Sequence, residues 1–198
     1  DVSMEGGTMW IHLNRPHQKN ALNLKMLKEL ELIIQVVRPQ LAIRILVLSG
    51  NGGHFCAGGD PNSHEGLTFI KTMTEYYRFG MLLWQMRSLC VPIVTIVHGK
   101  IQGGGVAVML QGDYIIAVDS DTTIQYGNLN RGVCPLAGFA THVTKRLGRT
   151  AAMKFYIYNE LLRPEEAVNI KLVDECVCSI DAGVKRALEE IYMMTPSQ

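Results

Sequence analysis

The sequence predicts one α/β domain, residues 1–198, in which parallel strands alternate with helices. Short apolar runs bounded by glycine or proline recur along the chain, and stretches of helical periodicity separate them. Two of the apolar runs, 43–48 and 91–97, lead into glycine-rich turns, the first over 49–60 and the second at 103–105. This alternation favours parallel pairing, because parallel strands need a long crossover that a helix usually supplies. A chain of 198 residues is long enough to bury one sizeable core.

The first half of the chain predicts two strands and two helices. Residues 8–13 predict a strand, and apolar residues at helical spacing predict a helix over 22–37. Asn20 is the expected N-cap of this helix, since a side-chain oxygen there can accept a bond from an unpaired amide. The strand that leads to the first glycine turn follows. The stretch 65–89 predicts a second helix, with Gly80 as a candidate break.

The second half continues the alternation. The strand over 91–97 leads through the triple glycine into a short helix. The other predicted elements are strands near 113–118, 123–126 and 173–177 and helices near 138–147, 150–158, 164–171 and 181–193. We find no internal repeat, linker or low-complexity segment that would divide the domain.

Composition argues against nucleic acids, membranes and metals as partners. The formal net charge is +1, and no apolar run is long enough to cross a membrane. The five cysteines have no metal-ligand spacing, and no signal peptide is present, so we expect reduced thiols in a cytoplasmic protein. No metal and no separate cofactor are expected.

The two glycine turns predict a site for a developing negative charge. Each turn follows a strand and can present a backbone amide, because glycine lets the chain turn sharply and come close to a bound group. Two amides that converge on one carbonyl oxygen form an oxyanion hole, which stabilises charge that appears only during the reaction. The alternative at this stage is a pair of tight turns with nothing bound.

These turns belong to a set of short motifs by which the chain resembles the crotonase (enoyl-CoA hydratase/isomerase) superfamily along nearly its whole length. The motifs are Leu13-Asn-Arg-Pro16, Asn20-Ala-Leu22, Phe55-Cys-Ala-Gly-Gly-Asp60, the glycines 103–105, Asp113, Gly148 and Leu172-Val173. The resemblance implies a crotonase-like ββα superhelix (spiral) fold. It also implies that the family's C-terminal helical part is missing after Gln198, as in a domain cut from a longer polypeptide.

The resemblance also assigns the site residues. It implies that the amides of Gly59 and Gly104 form the oxyanion hole for an acyl-thioester carbonyl, flanked by Gly58, Asp60 and Gly103. The segments around Arg15, Ala21 and Ala57 are expected along the arm of coenzyme A or phosphopantetheine, which is part of the substrate. The expected partners are an acyl-CoA or acyl-carrier-protein substrate and further copies of the chain in a homotrimer or hexamer.

The chain departs from the family where a hydratase would carry its acids. The expected glutamate positions hold Ala107 and Asn128, and a third acid position falls near Leu136. Without positioned carboxylates, hydration loses general acid–base catalysis that is commonly worth about 10²–10⁴-fold. We therefore expect decarboxylation or double-bond isomerisation, in which the oxyanion hole stabilises an enolate. An enoyl hydratase or dehydratase with another acid/base and an inactive thioester-binding or scaffolding module are the alternatives.

Several polar side chains are candidates for the remaining chemistry. Family members without the glutamates use a residue near the start of the helix after the first glycine turn, and here that region holds His64, Lys71, Tyr76 and Tyr77. Asn128 and Arg131 are expected to contact the substrate, the latter because a guanidinium recognises carboxylate or phosphate in a bidentate way. The polar set also includes Gln102, Tyr126, Asn130 and Cys134. The stretches 64–67 and 128–135 are similar to domains associated with polyketide synthases, which suggests membership of a multidomain synthase.

Overall fold

A six-stranded sheet lies at the centre of the computed structural model, which describes residues 1–38, 40, 42–119, 121–135 and 139–194. The strands are β1 (Val2–Glu5), β2 (Thr8–Leu13), β3 (Ile45–Gly50), β4 (Ile93–Val97), β5 (Lys100–Gln102), β6 (Tyr114–Val118), β7 (Thr123–Gln125), β8 (Leu161–Leu162) and β9 (Glu175–Val177). The helices are α1 (Leu24–Val37), α2 (Phe69–Arg87), α3 (Gly104–Met109), α4 (Phe139–Tyr158), α5 (Pro164–Asn169) and α6 (Ile180–Met194).

The large sheet has the order β1-β2-β3-β4-β6-β9. From β2 onward its neighbours pair in parallel, which confirms the predicted parallel architecture, and β1 joins the edge antiparallel to β2. A second sheet contains β5, β7 and β8, with β5 parallel to β7. Because β3 and β4 are neighbours, their carboxyl ends and the glycine turns that follow lie at the same edge of the sheet.

Alternating side chains of β3 build two hydrophobic cores, one on each face of the sheet. Leu46 and Leu48 pack in the larger core with residues of α1, α2 and α3, whereas Ile45 and Val47 pack in a smaller core that includes Ala187 of α6. Full burial of a leucine or isoleucine is worth about 1.5–3 kcal/mol. The strands that carry the glycine turns are therefore held between two packed layers.

The N-terminal end of α1 corrects one prediction. The helix begins at Leu24, and its N-cap is Asn23, whose side chain accepts a hydrogen bond from the amide of Met26 at 2.9 Å. The predicted cap, Asn20, is buried with φ of 54°. Its Nδ2 donates to the carbonyl oxygens of Asn51 and His54 at 2.9 and 2.6 Å. Asn20 therefore joins the N-terminal segment to the first glycine turn.

Of two glycines within the helices, Gly148 interrupts its helix and Gly80 does not. Gly80 does not break α2, which continues to Arg87. Gly148 has φ of 74° and ψ of 163°, so it interrupts α4 at the predicted boundary between two helical segments. The predicted start of that region at residue 138, and Leu136, lie outside the described residues. Strands β1, β5 and β8 were not predicted, since each has at most four residues and little periodicity to recognise.

Candidate active site

The two glycine turns pack directly against one another. Cys56 and Ile101 form a parallel bridge, and the amide of Gln102 donates to the carbonyl oxygen of Cys56 at 3.3 Å. A Cβ on Gly58, which has φ of +100°, would lie 2.6 Å from the carbonyl oxygen of Gln102. A Cβ on Gly105 would lie far inside 3.0 Å of the Cys56 carbonyl oxygen. Glycine is therefore required at both contacts for the turns to approach this closely.

The amides of Gly59 and Gly104 lie next to one another. Gly59 pairs with Leu22 in a parallel bridge whose hydrogen bonds come from the amides of Leu22 and Asp60. In that pattern the N–H of the middle residue, Gly59, points away from its partner strand. Gly104 is the first residue of α3, where an amide has no carbonyl within the helix to bind. A Cβ on Gly104 would lie 3.5 Å from the nitrogen of Gly59, so the two amides are adjacent.

Gly103 sets the direction of the second turn. It has φ of 52° and ψ of −114°, a conformation that side chains rarely adopt, and its amide donates to the carbonyl oxygen of Tyr126 at 3.0 Å. The side chain of Asn128 lies beside this turn, because a Cβ on Gly103 would meet its Oδ1 at 3.3 Å. The predicted substrate contact Asn128 therefore lies next to the predicted oxyanion hole.

An apolar cleft of about 220 Å³ opens over these amides. The apolar side chains of Leu22, Leu27, Phe79 and Val133 contribute to its walls. The predicted site residues that line it are Ala57, Gly58, Gly59, Asp60, Tyr76, Gly103, Gly104 and Asn128. A cavity with apolar walls and a few convergent polar groups is the usual form of a small-molecule site.

Asp60 stabilises the first glycine turn. Its Oδ1 accepts from the amide of Asn62 at 3.0 Å, and its Oδ2 accepts from Arg15 Nη2 at 2.9 Å. Nη1 of Arg15 donates to the carbonyl oxygen of Ala21 at 2.6 Å. Arg15 thus connects Ala21 to the loop that holds Asp60, and neither Arg15 nor Ala21 lines the cleft. Their contact with a coenzyme A or phosphopantetheine arm stays a prediction.

The other predicted side chains either lie outside the cleft or at its edge, or fall outside the described part of the structure. Lys71 and Tyr77 are exposed on α2 and do not line the cleft, whereas Cys134 lies at its edge. His64 ends a short 3₁₀ turn (Pro61–His64) and Arg131 ends another (Leu129–Arg131), but both side chains lie outside the described part of the structure. The roles predicted for His64 and Arg131 stay predictions.

Glu75 lines the cleft and was missed by the sequence analysis. It lies on α2 one residue before Tyr76, and 17% of its side chain is exposed. Its position on the helix was a usable signal, because residues 75, 79, 82 and 86 follow helical spacing and Leu82 and Met86 are buried. A carboxylate that lines a cleft is a candidate for acid–base chemistry.

Burial decides the chemistry of two further groups. It raises the pKa of the Cys56 thiol to about 12, so Cys56 is a packing residue and not a nucleophile. Burial also raises the pKa of Tyr126, whose ring packs edge-on against Phe155 and Tyr156 at 5.4 and 4.9 Å between ring centres. Tyr126 is thus a buried packing residue beside the second turn, and it does not line the cleft.

Two histidines connect the strand ends beneath the site. His98 is buried, and its Nε2 lies 2.9 Å from the carbonyl oxygen of Gly52. His54 Nδ1 accepts from the amide of Lys100 at 3.0 Å. Burial lowers the pKa of both rings, and nearby positive charge lowers that of His54 further. Both rings are neutral at pH 7, so acid should disturb the support of the first turn.

We expect the free energy of unfolding to fall as the pH drops below about 6.5, the ordinary histidine value. Between that value and the lowered pKa of His98, the unfolded chain binds a proton that the folded chain does not. The free energy of unfolding therefore falls as the pH falls through this range. Urea titrations at a series of pH values measure this decrease. His98→Gln should make it shallower, whereas His17→Gln on the surface should not. An unchanged pH dependence in His98→Gln would contradict the assignment.

Among the described residues, no group of three or more histidine, cysteine, aspartate or glutamate side chains is placed to hold a metal ion. Within the same ranges, none of the helices combines the length and the apolar character that a membrane span requires.

Comparisons with known proteins agree on one family. The sequence profile described as Enoyl-CoA hydratase/isomerase matches residues 3–195. A probable enoyl-CoA hydratase of Rhodobacter capsulatus is 32% identical over 177 residues, which cover 88% of this chain and 67% of the relative. A trans-2-decenoyl-[acyl-carrier-protein] isomerase of Streptococcus mutans is 25% identical over 175 residues, covering 86% of this chain and 66% of the relative.

Solved structures confirm the predicted fold class. AtuE of Pseudomonas aeruginosa superposes with a TM-score of 0.91 at 30% identity, covering 96% of this chain and 76% of AtuE. An enoyl-CoA hydratase/isomerase of Marinobacter aquaeolei superposes with a TM-score of 0.87 at 28% identity, covering 99% of this chain and 78% of that one.

Proposed function

Because the chain belongs to the enoyl-CoA hydratase/isomerase family, we propose that it moves the double bond of an enoyl thioester from the 3- to the 2-position. The reaction passes through an enolate whose oxygen is held by the amides of Gly59 and Gly104. The observation that carries the proposal is the adjacency of these two amides at the base of an apolar cleft. Removal of one donor from such a hole in other enzymes costs about 10²–10³-fold in kcat.

The side chains of the cleft favour isomerisation over hydration. Hydration must activate a water molecule and protonate a carbon, and the two positions where the family resemblance places glutamates hold Ala107 and Asn128. Ala107 is buried in α3 and has no titratable group, and an amide such as that of Asn128 is a poor base. Isomerisation needs one group that removes a proton and returns it, and no water enters the product.

The relatives support an acyl thioester as the substrate. The isomerase of Streptococcus mutans is named for a carrier-protein thioester, and the Rhodobacter capsulatus relative is named for a coenzyme A thioester. Both carriers end in the same phosphopantetheine arm, so the proposal covers both. A homotrimer or hexamer, a cytoplasmic location and membership of a multidomain synthase in polyketide or fatty-acyl metabolism are proposed with it.

The purified protein should convert 3-hexenoyl-CoA to its 2-enoyl isomer without a change in mass, as followed by chromatography and proton NMR. A 3-methylglutaconyl thioester and crotonyl-CoA are tested in parallel. Loss of carbon dioxide from the former without isomerisation would support decarboxylation, and addition of water to crotonyl-CoA would support hydration. Absence of all three reactions, with acyl-CoA bound, would indicate a binding module and contradict the proposal.

A further inference from the structure

We propose that the carboxylate of Glu75 is the acid/base that moves the proton between the two carbon atoms in this reaction. The inference rests on the proposed isomerisation and adds the residue that performs its proton transfer. It places the acid on α2, and not at Ala107 of α3 or at Asn128, the two positions where the family resemblance implies glutamates.

The first argument is the position of Glu75 within the cleft. Glu75 and Phe79 lie one helical turn apart on α2, and both line the cleft whose base is formed by Gly59 and Gly104. Only 17% of the Glu75 side chain is exposed. An acyl thioester whose carbonyl oxygen binds between the two amides therefore shares this space with the carboxylate.

The second argument is a comparison of the two acids in the described lining of the cleft. Asp60 is committed to its loop, because its two oxygens accept from the amide of Asn62 and the guanidinium of Arg15. Glu75 pairs with Arg78, at 3.7 Å between Oε1 and Nη1, and 52% of the Arg78 side chain is exposed. This distance is longer than that of a hydrogen bond, so Arg78 does not hold the carboxylate as Arg15 and Asn62 hold that of Asp60.

The third argument is the chemistry of the neighbouring groups. Asn128 lies beside Gly103, but a carboxamide does not take up a proton from carbon under ordinary conditions. Cys134 lies at the edge of the cleft and is exposed, and no described histidine lines the cleft beside it to activate a thiolate. Among the described side chains of the cleft, Tyr76 is the remaining alternative, and the substitution Tyr76→Phe separates it from Glu75.

The proposed step balances without any further reactant. Glu75 removes a proton from C2 of the 3-enoyl thioester, the C2–H electron pair forms the C1–C2 double bond of a dienolate, and the carbonyl oxygen becomes the anion held by the amides of Gly59 and Gly104. The protonated Glu75 then donates its proton to C4. The C3–C4 double bond breaks and its electron pair forms the new C4–H bond. The C1–C2 pair moves to form the C2–C3 double bond, the oxygen restores the thioester carbonyl, and Glu75 is again a carboxylate.

Glu75→Gln tests the inference, because glutamine keeps the shape of the side chain and cannot exchange a proton with carbon. We expect kcat for isomerisation of 3-hexenoyl-CoA to fall about 10²–10⁴-fold, while the dissociation constant for 2-hexenoyl-CoA stays within about threefold. Glu75→Asp should recover part of the loss. The matched control is Lys71→Gln, which changes a charge on the exposed surface of the same helix, outside the cleft lining, and should leave kcat within about threefold.

Label transfer distinguishes a proton carrier from a residue that only shapes the cleft. Substrate deuterated at C2 should give product with some deuterium at C4 when one carboxylate carries the proton, and this transfer should be absent in Glu75→Gln. Full activity of Glu75→Gln with an active wild type would overturn the role of Glu75 and leave the proposed function intact. Loss of label transfer in Tyr76→Phe alone would assign the carrier to Tyr76. An inactive wild type would overturn both proposals.

Discussion

Gly104→Pro is expected to lower kcat at least about 10²–10³-fold, the range for removal of one oxyanion-hole donor, while the protein stays folded. Proline lacks the N–H that Gly104 would offer to the substrate oxygen. Gly104 is the first residue of α3, the helical position where proline is best tolerated because its amide has no partner within the helix. The new Cβ would meet the tip of Leu22, a side chain that can move aside, at 3.3 Å. Circular dichroism and steady-state kinetics together measure the two outcomes.

Gly104→Ala is the matched control for this substitution. Alanine adds the same Cβ next to Leu22 and keeps the N–H, so the loss of activity should be much smaller than with proline. A folded Gly104→Pro protein with wild-type turnover would show that the second amide has no role. Equal losses in the two variants would show that crowding, and not the missing donor, is responsible.

Gly105→Ala is expected to lower the free energy of unfolding by about 3 kcal/mol, at the upper end of what overpacking in a core usually costs. The added methyl would overlap the carbonyl oxygen of Cys56, a backbone atom that cannot rotate away. Within an ordinary helix the same change would stabilise the protein by up to about 1 kcal/mol, since alanine is the better helix former. A decrease in stability would therefore come from contact between the two turns. Urea denaturation measures it.

Gly53→Ala is the control for this substitution. Gly53 is exposed in the first turn, and a Cβ there would have no heavy atom within 4 Å. The expected change in stability is within about 0.5 kcal/mol, as for most surface substitutions. A Gly105→Ala protein as stable as Gly53→Ala would show that the two turns do not pack as tightly as the structure indicates.

Gly104→Pro and Gly105→Ala both change the backbone turns that hold the thioester oxygen, whereas Glu75 is proposed to move the proton. The adjacent amides can stabilise an enolate however it is formed, because they act on the thioester oxygen and not on the carbon atoms. The reaction therefore depends on which side chain removes and returns the proton. In this chain the proposed proton carrier lies on α2, and the glycine turns that follow β3 and β4 need not change with the position of that residue.

Local sequence patterns predicted most of the strands and helices that position the site. Strands β2, β3, β4 and β6 and helices α1 and α2 were predicted to within a few residues, because apolar periodicity and glycine punctuation are local properties of the chain. The two glycine turns could be located for the same reason, whereas their role as an oxyanion hole stays a proposal. Positions such as Gly103, with φ of 52° and ψ of −114°, are open to very few residue types.

Only the tertiary structure decided which side chains reach the cleft. Glu75, Tyr76 and Tyr77 are consecutive on α2, and each residue is rotated about 100° from the last. The packing of the helix directs Glu75 and Tyr76 into the cleft and leaves Tyr77 exposed. Likewise, the contact of Arg15 with Asp60 joins residues 45 positions apart along the chain and was not predicted, while the contact of Arg15 with the thioester arm stays a prediction. Such pairings depend on how separate elements meet, which periodicity within one element does not encode.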